Sequence, residues 1–143
     1  MMNHTLEIST RCTTDTTCTY RGQEIPIDIR IINRHGTAIG IPLAFLQGAG
    51  PIIKLVDSRT RADIHTPRNP ANPALLRQFT MLQPGESALL QWILTPEDLE
   101  QFGPYVDLTA EITIMADIQV NGSTIEFRGS DTLRIVSEAK SAP

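Results

Sequence analysis

Apolar and polar residues alternate along 105–120, YVDLTAEITIMADIQV, more regularly than anywhere else in the chain. Every even position from Val106 to Val120 is apolar, and the odd positions from Asp107 to Gln119 are polar except Met115. Because successive side chains of a strand point to opposite faces, this pattern predicts one long, half-buried strand. The strand should end at 121–122, Asn-Gly, the dipeptide most typical of a type I′ hairpin turn.

The residues after that turn predict the returning strand of a hairpin. Ile125, Phe127, Leu133 and Ile135 fall on one face of it. Gly129 interrupts the pattern and predicts a bulge or bend before 130–131, because glycine inside a strand commonly marks one.

A second alternation, EIPIDIRII, puts Ile25, Ile27, Ile29 and Ile31 on one face of another strand. Shorter strands are predicted in LEIST, CTYR, PIIKLV, ADIHT, RQFTML and SALLQWIL, the last with Trp92 on its inward face. The stretch 39–46, IGIPLAFL, is apolar but contains proline, which has no N–H to donate and therefore favours an edge strand or bulge.

One helix has a clear start signal. Thr95 can cap it, Pro96 suits its first position, and Glu97 and Asp98 complement the positive end of its dipole. It should run about two turns and stop at 103–104, Gly-Pro. Seven to nine strands with one short helix predict an all-β fold, an antiparallel β-sandwich.

Two segments resemble known domains. TYRGQEIPIDIRIINR resembles the strand-B entry of immunoglobulin-like bacterial sandwich domains, and LQPGESALLQWILTPEDLEQFGPYVDLTAEI resembles their E strand, E–F crossover and F strand. Within that group the chain is similar to the BsuPI-type intracellular proteinase inhibitor. The resemblance implies an immunoglobulin-like sandwich with the helix in the E–F crossover and Tyr105 as a tyrosine corner. The core cysteine pair of antibody domains is missing, because position 110 is Ala.

Composition excludes several classes of function. The net charge is −4, and ten of the sixteen acidic residues lie between 86 and 138, which argues against binding nucleic acid through a basic surface. No apolar run is long enough to insert into a membrane as a helix. The start MMNHTLEIST has no basic n-region and no apolar core, so it does not predict a signal peptide. The length of 143 residues suits a single domain with one sizeable core. We expect that domain to span 1–143, with 1–4 and 138–143 as flexible tails.

The two cysteines, Cys12 and Cys18, bracket the sequence TTDTT. Their spacing does not fit a zinc site or a C-x-x-C redox motif, and there is no second pair. A disulfide closing a small loop is the leading interpretation, with two free thiols as the alternative. A disulfide would indicate a periplasmic or secreted protein, and free thiols a cytoplasmic one.

No catalytic motif is present. His4, His35 and His65 are far apart in sequence, and neither G-x-S-x-G nor H-E-x-x-H occurs. Glu97 and Asp98 are explained by their place in a first helical turn. The seven aromatic residues look mostly buried, which weakens a carbohydrate-binding interpretation. We therefore expect no enzyme activity, no cofactor and no bound metal.

The stretch 58–77, SRTRADIHTPRNPANPALLR, combines four arginines with three prolines. A stiff, basic loop on a rigid scaffold makes a good recognition surface, because little entropy is lost on binding. The predicted partner-binding residues are Arg59, Arg61, His65, Arg68, Asn69, Asn72 and Arg77. The alternative is a plain crossover between sheets.

The sequence thus predicts a non-catalytic protein–protein binding module whose partner is another protein. Proteinase inhibition through a stiff loop is the first alternative, suggested by the BsuPI-type resemblance. A carbohydrate-binding module or an enzyme are weaker ones. An edge strand that pairs with a partner's strand is also open.

Overall fold

A computed structural model describes residues 6–14 and 18–138. Two α-helices, α1 (Leu43–Ala49) and α2 (Pro96–Leu99), and two 3₁₀ helices, Pro73–Arg77 and Glu100–Phe102, connect the strands. The strands are β1 (Leu6–Cys12), β2 (Cys18–Tyr20), β3 (Ile25–Asn33), β4 (Ile39–Ile41), β5 (Ile52–Asp57), β6 (Asp63–His65), β7 (Thr80–Leu82), β8 (Ser87–Leu94), β9 (Asp107–Val120) and β10 (Ser123–Ser137).

The strands form two sheets. The first has three strands in the order β1-β3-β8, and both pairings are antiparallel. The second sheet begins with the order β2-β10-β9. Two strands, β4 and β5, pair with the other edge of β9. β4 also pairs with β7, and β5 also pairs with β6. The all-β prediction is confirmed. The described residues form ten strands where seven to nine were predicted, and the purely antiparallel prediction is wrong because β2 pairs with β10 in parallel.

The inward faces of the two sheets bury one shared hydrophobic core. From β3, Ile27, Ile29 and Ile31 are fully buried, and from β9 so are Leu108 and Ile112. These are the positions that the two alternating patterns predicted to face inward. Burying each such side chain stabilises the fold by about 1.5–3 kcal/mol, so the same alternation that predicts the strands also contributes to stability.

The β9–β10 hairpin is confirmed, with one correction. Asn121 (φ 52°) and Gly122 (φ 78°) both adopt the left-handed conformation that a type I′ turn requires. The predicted bulge at Gly129 is wrong, since the pairing register continues unbroken from Ser123 to Val136. A Cβ at position 129 would lie 2.6 Å from the ring of Phe127 and 3.0 Å from Ile8, so a larger residue there would require the Phe127 ring to move.

Residues 39–46 do not form the predicted edge strand. β4 ends at Ile41, Pro42 occupies the N-cap position with φ −81°, and α1 follows. The helix buries Leu46 and Ala49, three residues apart on one face, so tertiary packing stabilises it. The predicted single helix is therefore one of two. The other, α2, starts as predicted, with the Thr95 hydroxyl accepting from the Asp98 N–H at 3.3 Å.

A side chain from the second sheet covers the outer edge of the first at β1. Asp131 of β10 accepts a hydrogen bond from the Thr10 backbone N–H at 2.8 Å and from the Thr10 hydroxyl at 2.9 Å. Within residues 6–14 and 18–138, β1 pairs with β3 alone, so this N–H would otherwise lack a partner strand. The contact also joins the two sheets.

A disulfide joins the sheets a second time. The Sγ atoms of Cys12, which ends β1, and Cys18, which begins β2, lie at bonding distance, with a Cα separation of 5.6 Å. The predicted pairing is therefore present. Residues 15–17 of the enclosed loop lie outside the described residues, as do 1–5 and 139–143, which include His4 and most of the predicted tails.

Tyr20 and Glu100 connect β2 to the crossover that carries α2. Tyr20 is buried and its hydroxyl donates to the Glu100 carboxylate. Burial, and then the hydrogen bond to Glu100, raise the pKa of Tyr20 to about 12. Tyr105, predicted as a tyrosine corner, is half exposed, and that role stays a prediction.

We expect the unfolding free energy to fall as the pH rises from about 10 toward 12, because the unfolded tyrosine ionises near 10 and Tyr20 in the fold only near 12. Below pH 10 this contribution is fully present. Urea unfolding from pH 7 to 11.5 should show the decline in the wild type and in the control Tyr105→Phe, and a smaller one in Tyr20→Phe. Parallel curves for all three proteins would contradict this assignment.

We expect protein purified without reductant to resist thiol alkylation and to gain two labels after reduction. The double variant Cys12→Ser/Cys18→Ser should lose about 2 kcal/mol of unfolding free energy, since the bond closes a short loop in the unfolded chain. Alkylation of both thiols in unreduced, unfolded protein would show that the bond is absent.

Candidate functional site

The free edge of β8 is the starting point for a candidate site. β8 pairs with β3 on one side only. The N–H and C=O of one strand residue point to the same edge, and successive residues alternate between the two edges. Gln91 points away from β3, as its contacts below show, and by alternation Leu89 and Ile93 do the same. In the described part of the chain no strand pairs with this edge.

The side chain of Gln47 occupies the position of a partner residue at Gln91. Its Nε2 donates to the Gln91 carbonyl at 3.0 Å, and its Oε1 accepts from the Gln91 N–H at 3.3 Å. An antiparallel strand residue exchanges the same two bonds with its opposite residue. The Gln47 carboxamide therefore makes the two hydrogen bonds that one residue of a neighbouring strand would make.

Helix α1 and its end at Gly50 hold this arrangement in place. α1 packs against β8 and presents the exposed Gln47 to it. Gly50 has φ 82°, and a Cβ there would lie 2.4 Å from two atoms of the six-membered ring of Trp92 and 2.8 Å from a third. These three atoms are neighbours in the ring, so the face of Trp92 packs against Gly50.

A groove lies beside this edge, between β8, α1, the segment 66–69 and the start of α2. We call it the β8 groove, and its volume is ≈ 370 Å³. Trp92 is half buried, so its remaining exposed surface contributes to the lining. The lining residues are Gln47, Thr66, Pro67, Asn69, Gln91, Trp92, Ile93, Leu94, Thr95 and Asp98.

Two polar groups in the groove have no partner among the described residues. The hydroxyl of Thr66 is buried and makes no hydrogen bond, although the Thr66 N–H donates to the Ile53 carbonyl at 3.0 Å. The Asp98 carboxylate makes no hydrogen bond or ion pair there either, since only the Asp98 N–H is used, in the cap at Thr95. Buried polar groups usually find a partner, so the Thr66 hydroxyl is free to bond to a group that enters the groove.

The predicted partner-binding residues lie in several different elements, and their joint role stays a prediction. Arg59 and Arg61 lie in the β5–β6 turn, where an Arg59 guanidinium nitrogen lies 3.4 Å from the Tyr105 carbonyl. His65 ends β6, exposed, and Arg77 lies in the last turn of the 3₁₀ helix Pro73–Arg77.

The other three members have different positions. Arg68 donates from Nε and Nη2 to the Gly50 carbonyl at 3.2 and 2.8 Å, so it supports the end of α1. Asn72 caps the 3₁₀ helix by accepting from the Ala74 N–H at 3.0 Å. Only Asn69 lines the β8 groove, together with Thr66 and Pro67 from the same stretch.

Sequence reasoning did not assign Gln47, Gln91, Trp92 or Asp98 to a site. Trp92 was predicted to face inward and does so in part, but it lies at a sheet edge and stays half exposed. Asp98 was explained by the helix dipole, and that explanation does not reveal that its carboxylate is unpaired. Gln47 carried no signal, because its segment was not predicted as a helix.

Two other kinds of site are absent from the residues that the structure describes. No three side chains of His, Cys, Asp or Glu lie close enough together to hold a metal ion. None of the described helices has the length and apolar character needed to cross a membrane.

Comparisons with known proteins define no family. No protein-family model matches the chain, and no curated protein matches it. Among solved structures, the chain is similar to the X-ray structure of Northeast Structural Genomics Consortium target SoR45. The TM-score is 0.47 at 8% sequence identity, over 100% of this chain and 98% of that one. A likeness at this score carries no argument about fold type or function.

We expect Gln47→Ala to expose the Gln91 amide to solvent. Losing one hydrogen bond of about 1 kcal/mol should speed hydrogen exchange at Gln91 about fivefold, with little change in global stability. The matched control is Gln101→Ala, at an exposed glutamine outside the groove. Unchanged exchange at Gln91 would show that the carboxamide does not protect this edge.

Proposed function

We propose that the chain is a non-catalytic protein-binding module that binds an extended segment of another protein as an added strand on β8. The observation that carries the proposal is the Gln47 carboxamide, which makes at Gln91 the two bonds that a strand residue would make. Because a side chain makes these two bonds, the backbone of a bound peptide can displace the Gln47 carboxamide and make the same two bonds to Gln91.

The geometry beside Gln91 favours strand addition. Ile93 is the next residue along β8 that points its N–H and C=O outward, and it lines the groove. Two strand residues span about 6.6 Å. A bound segment of about five residues would therefore bond at Gln91 and Ile93 and place one side chain in the groove.

The energetics indicate modest affinity. Displacing Gln47 replaces two hydrogen bonds with two others and leaves the binding free energy nearly unchanged. The net binding free energy therefore comes from new hydrogen bonds at Ile93, of about 0.5–1.5 kcal/mol each, and from burial of a side chain in the groove. The bound segment also loses conformational freedom. Micromolar dissociation constants are the expected range for such a balance, about −8 kcal/mol.

We further propose that the fold is an immunoglobulin-like sandwich located in an oxidising compartment. Two sheets over one core and a crossover helix between β8 and β9 support the first part. The Cys12–Cys18 disulfide supports the second, because such bonds persist mainly outside the cytosol. Proteinase inhibition stays a hypothesis, and a lack of inhibition of a protease panel at micromolar concentration would refute it.

A peptide selection tests strand addition directly. A display library of random, unstructured heptapeptides should yield binders to the wild type. Ile93→Pro should weaken them about tenfold, because proline removes the outward N–H and leaves the bonds to β3 intact. Leu89→Pro is the matched control, since Leu89 points to the same edge outside the groove. Unfolding curves of both variants check that they fold.

The wild type provides an independent readout if a proline variant fails to fold. On peptide binding, exchange at the Ile93 amide should slow, and the side-chain NH₂ signals of Gln47 should shift.

Three results would overturn the proposal. One is peptide binding that Ile93→Pro leaves unchanged. Another is saccharide binding that depends on Trp92, with no peptide selected. The last is a dimer formed through β8 that Ile93→Pro converts to monomer, which would make the occupant a second copy.

A further inference from the structure

We propose that the segment bound in the β8 groove carries a lysine or arginine side chain that contacts Asp98 and Trp92. This inference rests on the proposed strand addition and specifies the chemistry of the bound segment. It is based on Asp98 and Trp92, two groove side chains that the backbone hydrogen bonds of strand addition do not involve.

Among the described residues that line the groove, only Asp98 has a charged side chain. Asp98 is half buried, and its carboxylate has no partner in the described part of the chain. The Asp98 N–H is bonded to Thr95, so the backbone from which the side chain projects is held in place. An unpaired carboxylate in a groove favours a ligand that donates hydrogen bonds and carries positive charge.

The charges near Asp98 favour a cation as well. Glu97 is adjacent to Asp98 and exposed. Arg68 is the arginine closest in sequence to the lining residues, and it does not itself line the groove. Glu100 is occupied by the Tyr20 hydroxyl. The described lining of the groove therefore includes one carboxylate and no cationic side chain, and the guanidinium of Arg68, which lies between the lining residues Pro67 and Asn69, is bonded to the Gly50 carbonyl.

Trp92 offers the second recognition element. One face of its ring packs against Gly50, which fixes the ring in place, and its exposed surface lines the groove. A cation within about 6 Å of an indole ring is attracted by the negative charge of the ring face. A guanidinium or ammonium group between the indole and the Asp98 carboxylate would use both attractions, and the unpartnered Thr66 hydroxyl could accept one of its N–H groups.

The test uses one selected peptide made in three forms, with arginine, citrulline or glutamate at the groove position. Citrulline keeps the shape of arginine and removes its charge. Against the wild type we expect citrulline to weaken binding about tenfold and glutamate to weaken it further. Calorimetry at two salt concentrations should show that the arginine advantage shrinks with added salt.

Protein variants assign the effect to the groove. In Asp98→Asn the difference between arginine and citrulline should fall to about twofold or less. In the matched control Glu97→Gln, in the same helical turn but outside the groove, the tenfold difference should persist. Asp98→Asn should fold, because the carboxylate makes no hydrogen bond or ion pair with any residue that the structure describes. Trp92→Leu should reduce binding of the arginine peptide more than that of the citrulline peptide.

A small probe separates this inference from strand addition. N-acetyl-arginine amide at millimolar concentration should shift the Trp92 indole N–H resonance, and N-acetyl-citrulline amide should not. Equal binding of arginine and citrulline peptides overturns the charge inference, while protection of the Ile93 amide in the same experiment retains strand addition. If neither peptides nor arginine amide bind, both proposals fail.

Discussion

The edges of the three-stranded sheet leave backbone groups without a neighbouring strand, and much of the molecule is organised around satisfying them. At β1, Asp131 from the second sheet accepts from the N–H and the hydroxyl of Thr10. At β8, Gln47 from α1 bonds both backbone groups of Gln91. Each contact also connects the edge strand to an element outside the sheet. The same side chains therefore cover the edges and hold the sheet against its neighbours.

The two edges differ in chemistry, and the difference decides which of them can bind a partner. A carboxylate only accepts hydrogen bonds, and displacing Asp131 would leave a charge without its donors between the sheets. A carboxamide donates and accepts, carries no charge and, when displaced from an exposed site, can bond to water. β8 is therefore the edge at which strand exchange costs less. It is also the edge with a groove beside it, and that groove contains an unpaired carboxylate and a half-buried indole.

Elements with local signals were predictable from the sequence. The alternation in β3 and β9 and the dipeptide at 121–122 depend on neighbouring residues alone, as does the start of α2 at Thr95. Helix α1 was missed because 39–46 is apolar at nearly every position, so it has neither a helical nor a strand period. Its stability comes from burying Leu46 and Ala49 against other elements, which a local pattern does not contain.

The β8 groove could not be predicted for a related reason. Gln47 and Gln91 are 44 residues apart, and nothing in either sequence neighbourhood indicates that they meet. The stretch 58–77 was a partial guide, because Thr66, Pro67 and Asn69 do line the groove. None of its four arginines is among the lining residues of the groove. A sequence shows which residues carry charge, whereas the fold decides which charges are left unpaired.

The central claim is that β8 accepts a strand, and isotope-filtered NMR of a bound peptide tests it most directly. Strand addition predicts NOEs between the peptide backbone and the backbone protons of Leu90, Gln91 and Ile93, in the alternating pattern of a β ladder. NOEs from the peptide to the β5–β6 turn instead, with none to β8, would contradict it.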